Sequence, residues 1–133
     1  MHPLFGKASN LTETFVAASI EVHSAKGPGS VEAVYEWCLA RELKLRNLDS
    51  VSQPHFTLEY KGFTQEVSVQ FGVLVEGCVL IKAKAVEKVL PGHKTQLLHH
   101  MKLLDVPLGL LINFQELEVT KGISRLILPG ADR

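Results

Sequence analysis

Cysteine and long apolar runs are scarce in this sequence, and each scarcity excludes a class of protein. The 133 residues include two cysteines, Cys38 and Cys78, which are too few and too isolated for a disulfide framework or a zinc knuckle. The longest strongly apolar run, residues 106–114, is roughly half as long as a membrane-spanning helix must be. We therefore expect reduced thiols and no segment that crosses a membrane.

An excess of charge of either sign is also missing. Fourteen basic residues balance fourteen acidic ones, so no global field would draw the protein onto nucleic acid or an anionic membrane. Binding of nucleic acid would need a local basic patch, and we expect it to be weak. Residues 1–10 lack the features of a secretory signal, which favours a cytoplasmic location.

The length and composition of the sequence are those of one globular domain. It is 46% hydrophobic and 21% charged, and no internal repeat or long linker interrupts it. We expect a single domain over residues 1–133, with residues 1–10 as an N-terminal arm and residues 129–133 as a C-terminal tail.

Apolar residues at helical spacing predict two helices in the first third of the chain. Asn10 and Glu13 resemble a capping box, and the first helix is predicted over about 11–25. Gly27 and Pro28 end it, and a second helix is predicted over about 30–46. The apolar positions expected on the inner face of this second helix are Val31, Val34, Cys38 and Leu45, broadened by Tyr35 and Leu39.

A change to a period of two predicts strands in the middle of the chain. Phe56, Leu58 and Tyr60 alternate with polar neighbours up to a turn at Lys61-Gly62, and Val67, Val69 and Phe71 continue the next strand. That strand is predicted to reach a turn at Glu76-Gly77, from which a third strand returns over residues 79–85.

One more helix and two more strands complete the predicted order. Residues 93–105 have an apolar face that includes Leu97, Met101 and Leu104, and the segments LGLLINF and ISRLIL follow as strands. The order ααβββαββ predicts an α/β (α+β) protein with a mixed β-sheet flanked by helices. The connection from residues 79–85 through the helix to LGLLINF suits a parallel crossover.

Three stretches of the sequence resemble a known family. They are IEVHSAKGPGSVEAVYEWCLARELKLR, VLVEGCVLIKAKAVEKVLPGHKTQLLHHMKLL and GLLINF. The motif Gly29-x-x-Glu32-x-x-Tyr35, with its spacing to the other two stretches, resembles the GxxExxY family of small bacterial proteins over about residues 11–128. That family lies in the PD-(D/E)XK nuclease-like superfamily, and the resemblance implies a restriction-endonuclease-like core.

The resemblance fails at the residues that would perform nuclease chemistry. The family pattern has an aspartate where this chain has Gly72 and a glutamate where it has Lys82, so only Lys84 of that trio remains. The superfamily often supplies a glutamine and a tyrosine on the following helix, and here Gln96 is present but His100 replaces the tyrosine. Divalent cations need paired oxygen ligands. We therefore predict no metal site, no cofactor and a loss of metal-dependent cleavage.

The two lysines admit two interpretations. Residues two apart on a strand point to the same face with Cβ atoms roughly 6.5–7 Å apart, so their ammonium groups repel each other. In the first interpretation, Lys82 or Lys84 pairs with Glu32 or extends to water. The protein is then a binding module or pseudoenzyme.

In the second interpretation, burial and the like-charged neighbour lower the pKa of one lysine, and its amine forms a Schiff base with a small carbonyl compound. Replacement of several positions by glycine, lysine and histidine is what repurposing of a scaffold, natural or engineered, would produce. The small Gly72 and Gly92 would open space beside the amine, and His100 or Tyr35 would move protons. A divergent DNA nuclease is the third alternative.

The sequence thus predicts one candidate site. Its catalytic candidates are Lys82, Lys84, Glu32 and His100, and its expected pocket-lining residues are Gly72, Tyr35, Gln96 and Gly92. Glu66, Glu76 and Glu87 would each need a shifted register to replace a missing acid, so we expect none of them in the site. A homodimer through an exposed sheet edge or through the first helices stays an alternative.

Overall fold

Residues 1–133 are all described by the computed structural model. The helices are α1 (Phe5–Lys26), α2 (Glu32–Leu45) and α3 (Pro91–Leu104), with a short 3-10 helix at Val119–Gly122. The strands are β1 (Ser50–Ser52), β2 (His55–Tyr60), β3 (Phe63–Ser68), β4 (Gly72–Val75), β5 (Val79–Lys84), β6 (Leu108–Asn113) and β7 (Ile123–Ile127). None of the helices combines the length and apolar content that crossing a membrane requires.

Five strands form the main sheet, in the order β1-β4-β5-β6-β7. The central pair β5 and β6 is parallel, and the other neighbours are antiparallel. The chain passes from β5 to β6 through α3 because two parallel neighbours need a crossover connection. The predicted mixed sheet flanked by helices, with its parallel crossover, is confirmed.

Alternation along β5 divides the core between the two faces of the sheet. Val79, Ile81 and Ala83 belong to the larger apolar cluster, which includes buried residues of α1 and α2. Leu80 belongs to the smaller cluster, which contains residues of α3. Since side chains alternate along a strand, Lys82 follows Leu80 on the α3 face, and so does Lys84.

The predicted long strand through Val67, Val69 and Phe71 is wrong. The chain turns between Val69 and Gly72, where Phe71 has a φ of 58° and the Gly72 N–H donates to the Val69 carbonyl at 3.2 Å. As a result β2 and β3 form a separate two-stranded sheet. The short β1, which the sequence pattern did not indicate, occupies the edge of the main sheet next to β4.

The predicted start of the first helix is also wrong. The helix begins at Phe5, and Asn10 and Glu13 lie in its interior instead of capping it. Residues 5–10 are therefore part of α1 and not of an arm, because burial of Ala8 against the core holds this first segment in place.

The inner face of α2 differs from the predicted one. Tyr35, Leu39 and Leu43 are buried, whereas Val31 and Leu45 are 61% and 78% exposed. The residues at 35, 39 and 43 recur every four positions and form one stripe, so the helix is rotated relative to the stripe that was expected from the sequence.

The two ends of the chain meet each other. The His2 N–H donates to the Ala131 carbonyl at 2.8 Å, and Ala131 is buried. The predicted C-terminal tail at 129–133 is thus held against the N-terminal segment by a backbone hydrogen bond.

Candidate functional site

A polar cavity of about 540 Å³ lies at the end of β5, and we call it the lysine cleft. Its walls come from α2, the β3 strand, the turn after it, β5 and α3. The lining residues are Glu32, Gln65, Glu66, Val67, Ser68, Gln70, Phe71, Lys82, Lys84, Gln96 and His100. Five of the eight predicted site residues are among them, so the structure brings together both lysines, Glu32, Gln96 and His100.

Lys82 is the most unusual residue of the lysine cleft. It lies on a central strand, 4% of its surface is exposed, and its ammonium group makes no hydrogen bond or ion pair with the protein. Burial lowers the pKa of Lys82 to about 8, and the positive charge of Lys84 adds to this effect, while Glu32 acts in the opposite direction. Lys82 is therefore a poorly solvated amine that faces an open cavity.

The expected ion pair between Glu32 and a lysine is not formed. The four ion pairs of the structure lie elsewhere, and Glu32 instead accepts a hydrogen bond through Oε1 from the Ala85 N–H at 3.3 Å. Glu32 is the first residue of α2, where the helix dipole favours a carboxylate. These backbone interactions fix Glu32 at the rim of the lysine cleft without neutralising Lys82.

His100 shares the lysine cleft through α3. Burial lowers its pKa from the usual value of 6.5, and the charges of Lys82, His99 and Lys84 lower it further. The lowered pKa favours the neutral imidazole, and its buried Nδ1 atom has no hydrogen-bond partner in the protein.

Tyr35 does not line the lysine cleft. Its hydroxyl donates to the Gly27 carbonyl at 2.6 Å and accepts from the Ser30 N–H at 3.1 Å, and its ring stacks on Phe114 with 4.5 Å between centroids. Both hydrogen-bonding roles of the hydroxyl are filled. Tyr35 anchors the loop between α1 and α2, and the predicted proton-transfer role does not fit this placement.

The two glycines that were expected to open space do not do so. Gly72 faces Lys82 in the β4–β5 register, but a Cβ atom at Gly72 would lie 2.7 Å from Cγ1 of Val69. The space beside Gly72 is therefore filled. Gly92 lies in the first turn of α3 with nothing within 4 Å of a built Cβ atom, and it is outside the lysine cleft.

Glu66 lines the lysine cleft, contrary to the expectation from the sequence that it lies outside the site. Its Oε1 accepts a hydrogen bond from the Thr57 hydroxyl across the β2–β3 hairpin. Glu76 lies apart, at the β4–β5 turn, where it pairs with Lys7 at 3.5 Å. The β2–β3 register pairs Glu66 with Thr57. The turn at Val69–Gly72 brings this hairpin to the cleft, and the alternating sequence pattern does not indicate that turn.

The side chains present do not form a site for a divalent cation. No group of three His, Cys, Asp or Glu side chains is placed to hold a metal ion. Glu32 and Glu66 are the carboxylates of the lysine cleft, and the buried ammonium of Lys82 lies with them. Magnesium-type cations need several oxygen ligands, so this set of donors does not fit the metal that catalyses phosphodiester cleavage.

Comparison with protein families matches residues 9–126 to the PD-(D/E)XK nuclease superfamily. The match spans most of the chain, and the mixed sheet flanked by helices is consistent with the fold of that superfamily. The chain belongs to the PD-(D/E)XK nuclease superfamily. Searches of curated proteins and of solved structures gave no match.

Proposed function

We propose that this chain is a GxxExxY-type member of the superfamily in which a ligand-binding cleft has replaced the centre for metal-dependent cleavage. The observation that supports this best is Lys82, which occupies the position of a metal-binding glutamate in the family pattern. Its side chain is buried and lacks a partner carboxylate.

The electrostatics of Lys82 oppose binding of a cation. Two unit charges about 4 Å apart interact by about 4 kcal/mol at an effective dielectric near 20, and exchange of a carboxylate for an ammonium reverses the sign of that interaction. For a divalent ion the change in interaction energy is twice as large, because the energy is proportional to the charge of the ion. Gly72, opposite Lys82, offers no side-chain oxygen to compensate.

A nuclease assay tests the loss of cleavage. The unmodified protein is expected to leave supercoiled plasmid, linear duplex and single-stranded DNA intact in the presence of Mg²⁺ or Mn²⁺. Lys84→Met serves as the control for contamination, because cleavage by a contaminant would persist in it. Metal-dependent cutting that is abolished by Lys84→Met would refute the proposal.

A second candidate function is amine catalysis at Lys82. The specific observation in its favour is that the amine combines a pKa of about 8 with access to a cavity of about 540 Å³. A neutral amine can attack a carbonyl carbon, whereas an ammonium group cannot. At pH 8 about half of Lys82 is neutral, while an ordinary lysine is almost entirely charged.

Reductive trapping tests the amine candidate. Propanal with cyanoborohydride at pH 8 should modify Lys82 about tenfold faster than the exposed Lys102 of α3, as measured by peptide mass spectrometry. Because Lys82 and Lys102 lie in the same molecule, both are exposed to the same concentration of aldehyde and cyanoborohydride, and their labelling rates can be compared directly. Equal rates at the two positions would eliminate amine catalysis and leave the binding function.

A further inference from the structure

The lysine cleft contains more hydrogen-bonding groups than a simple aldehyde can use. Three amide side chains, Gln65, Gln70 and Gln96, lie around it together with the Ser68 hydroxyl. Each amide both donates and accepts hydrogen bonds. None of the three amides is engaged with another group lining the lysine cleft, since the one glutamine side-chain bond of the structure is made by Gln115.

The charges of the lysine cleft give no net attraction for an anionic ligand. Two lysines and two glutamates line it, so its formal charge is zero when all four are ionised, and the lowered pKa of His100 opposes an additional positive charge there. A carboxylate or phosphate would gain attraction from the lysines and meet repulsion from both glutamates. A neutral molecule with several hydroxyl groups can instead donate to the glutamates and use the amides in either role.

We propose that the ligand of the lysine cleft is a short polyhydroxylated carbonyl compound, an open-chain sugar, which forms a Schiff base with Lys82. This inference rests on the second candidate function above. The cavity has the size of a small-molecule site, and the glutamine, serine and glutamate residues that line it supply hydrogen-bond donors and acceptors for several hydroxyl groups.

The bond changes are those of imine formation. The neutral Lys82 nitrogen attacks the aldehyde carbon, a C–N bond forms, and the carbonyl oxygen takes up the proton that the nitrogen releases. The hydroxyl then leaves as water together with the second proton of the nitrogen, and the C=N bond forms. No oxidant or reductant takes part until cyanoborohydride is added to trap the imine.

Glyceraldehyde and propanal form a matched pair of probes because they share a three-carbon chain and differ in two hydroxyl groups. In each reaction, the rate at Lys82 is divided by the rate at Lys102, which removes the intrinsic reactivity of the aldehyde. This ratio should be about tenfold higher for glyceraldehyde than for propanal at pH 8, as expected for one to two additional hydrogen bonds.

Gln96→Leu is the variant that separates recognition from reactivity. Gln96 is exposed on α3, so the substitution leaves the core intact, and it should lower the glyceraldehyde ratio about threefold and the propanal ratio by less. Glyoxylate, a small anionic aldehyde, should give a lower ratio than glyceraldehyde.

Three results would overturn the inference, in two distinguishable ways. Equal ratios for glyceraldehyde and propanal, or a higher one for glyoxylate, would reject the sugar ligand and leave the amine function standing. Labelling of Lys82 no faster than that of Lys102 by every aldehyde would reject both.

Discussion

Lys82→Met is expected to raise the free energy of unfolding by about 2 kcal/mol at pH 7. A pKa that falls from 10.5 to about 8 corresponds to about 3 kcal/mol of unfavourable interaction in the folded state. Water in the open lysine cleft screens part of this energy, which reduces the expected gain. Methionine keeps the length of the apolar stem and removes the charge.

The gain should depend on pH in a defined direction. Between pH 8 and pH 10.5 the unfolded state binds more protons at Lys82 than the folded state does, so the wild-type protein becomes more stable as pH rises. The advantage of Lys82→Met is therefore full below pH 8 and disappears towards pH 10.5. The other titratable groups that line the lysine cleft with Lys82 are Lys84 on β5, Glu32 on α2, Glu66 on β3 and His100 on α3.

Urea unfolding at pH 7, 8, 9 and 10 measures this dependence, with Lys102→Met as the control. Lys102 lies exposed on the same helix as His100, and its substitution should change stability by less than about 0.5 kcal/mol at every pH. A Lys82→Met protein less stable than wild type at pH 7 would show that the Lys82 ammonium is well solvated or paired.

The central part of the fold could be predicted because its residues obey simple periods. The apolar runs of β5 and β6 are buried on both faces, and α3 buries the predicted Leu97 and Met101. Lys82 and Lys84 could be predicted to share one face of β5, because residues two apart on a strand always point to the same side of the sheet.

The course of the chain around the lysine cleft could not be predicted in the same way. The alternation of Val67, Val69 and Phe71 continues through a turn in which Phe71 adopts a left-handed conformation. Residues other than glycine rarely adopt this conformation, so a phenylalanine in the sequence does not indicate a turn. Because that turn moves the β2–β3 hairpin out of the main sheet, the position of Glu66 in the site could not be predicted from the strand pattern.

Tyr35 illustrates a different difficulty. Its position in the motif suggested a role in the site, but a tyrosine hydroxyl can equally bind backbone groups, and here it holds Gly27 and Ser30. The rotation of α2 decides between these roles. That rotation depends on how Leu39 and Leu43 pack against the sheet, which the helical period alone does not specify.

Lys82→Glu is expected to produce a Mn²⁺ site where the wild-type protein has none. The substitution adds a third carboxylate to the cleft that Glu32 and Glu66 line and removes the buried positive charge. Each reversal of a charge near 4 Å changes the interaction by several kcal/mol per unit charge, so the apparent affinity should rise by at least about two orders of magnitude. Lys82→Gln is the matched control, because it removes the positive charge of Lys82 without adding a negatively charged carboxylate.

Mn²⁺ binding to the wild-type protein, followed by the electron paramagnetic resonance signal of the free ion, tests the proposed loss of the metal site most directly. We predict that the free Mn²⁺ signal is unchanged by the wild-type protein and falls on addition of the Lys82→Glu variant. Stoichiometric loss of the free signal with the wild-type protein, unaffected by Lys82→Gln and abolished by Glu32→Gln, would contradict it.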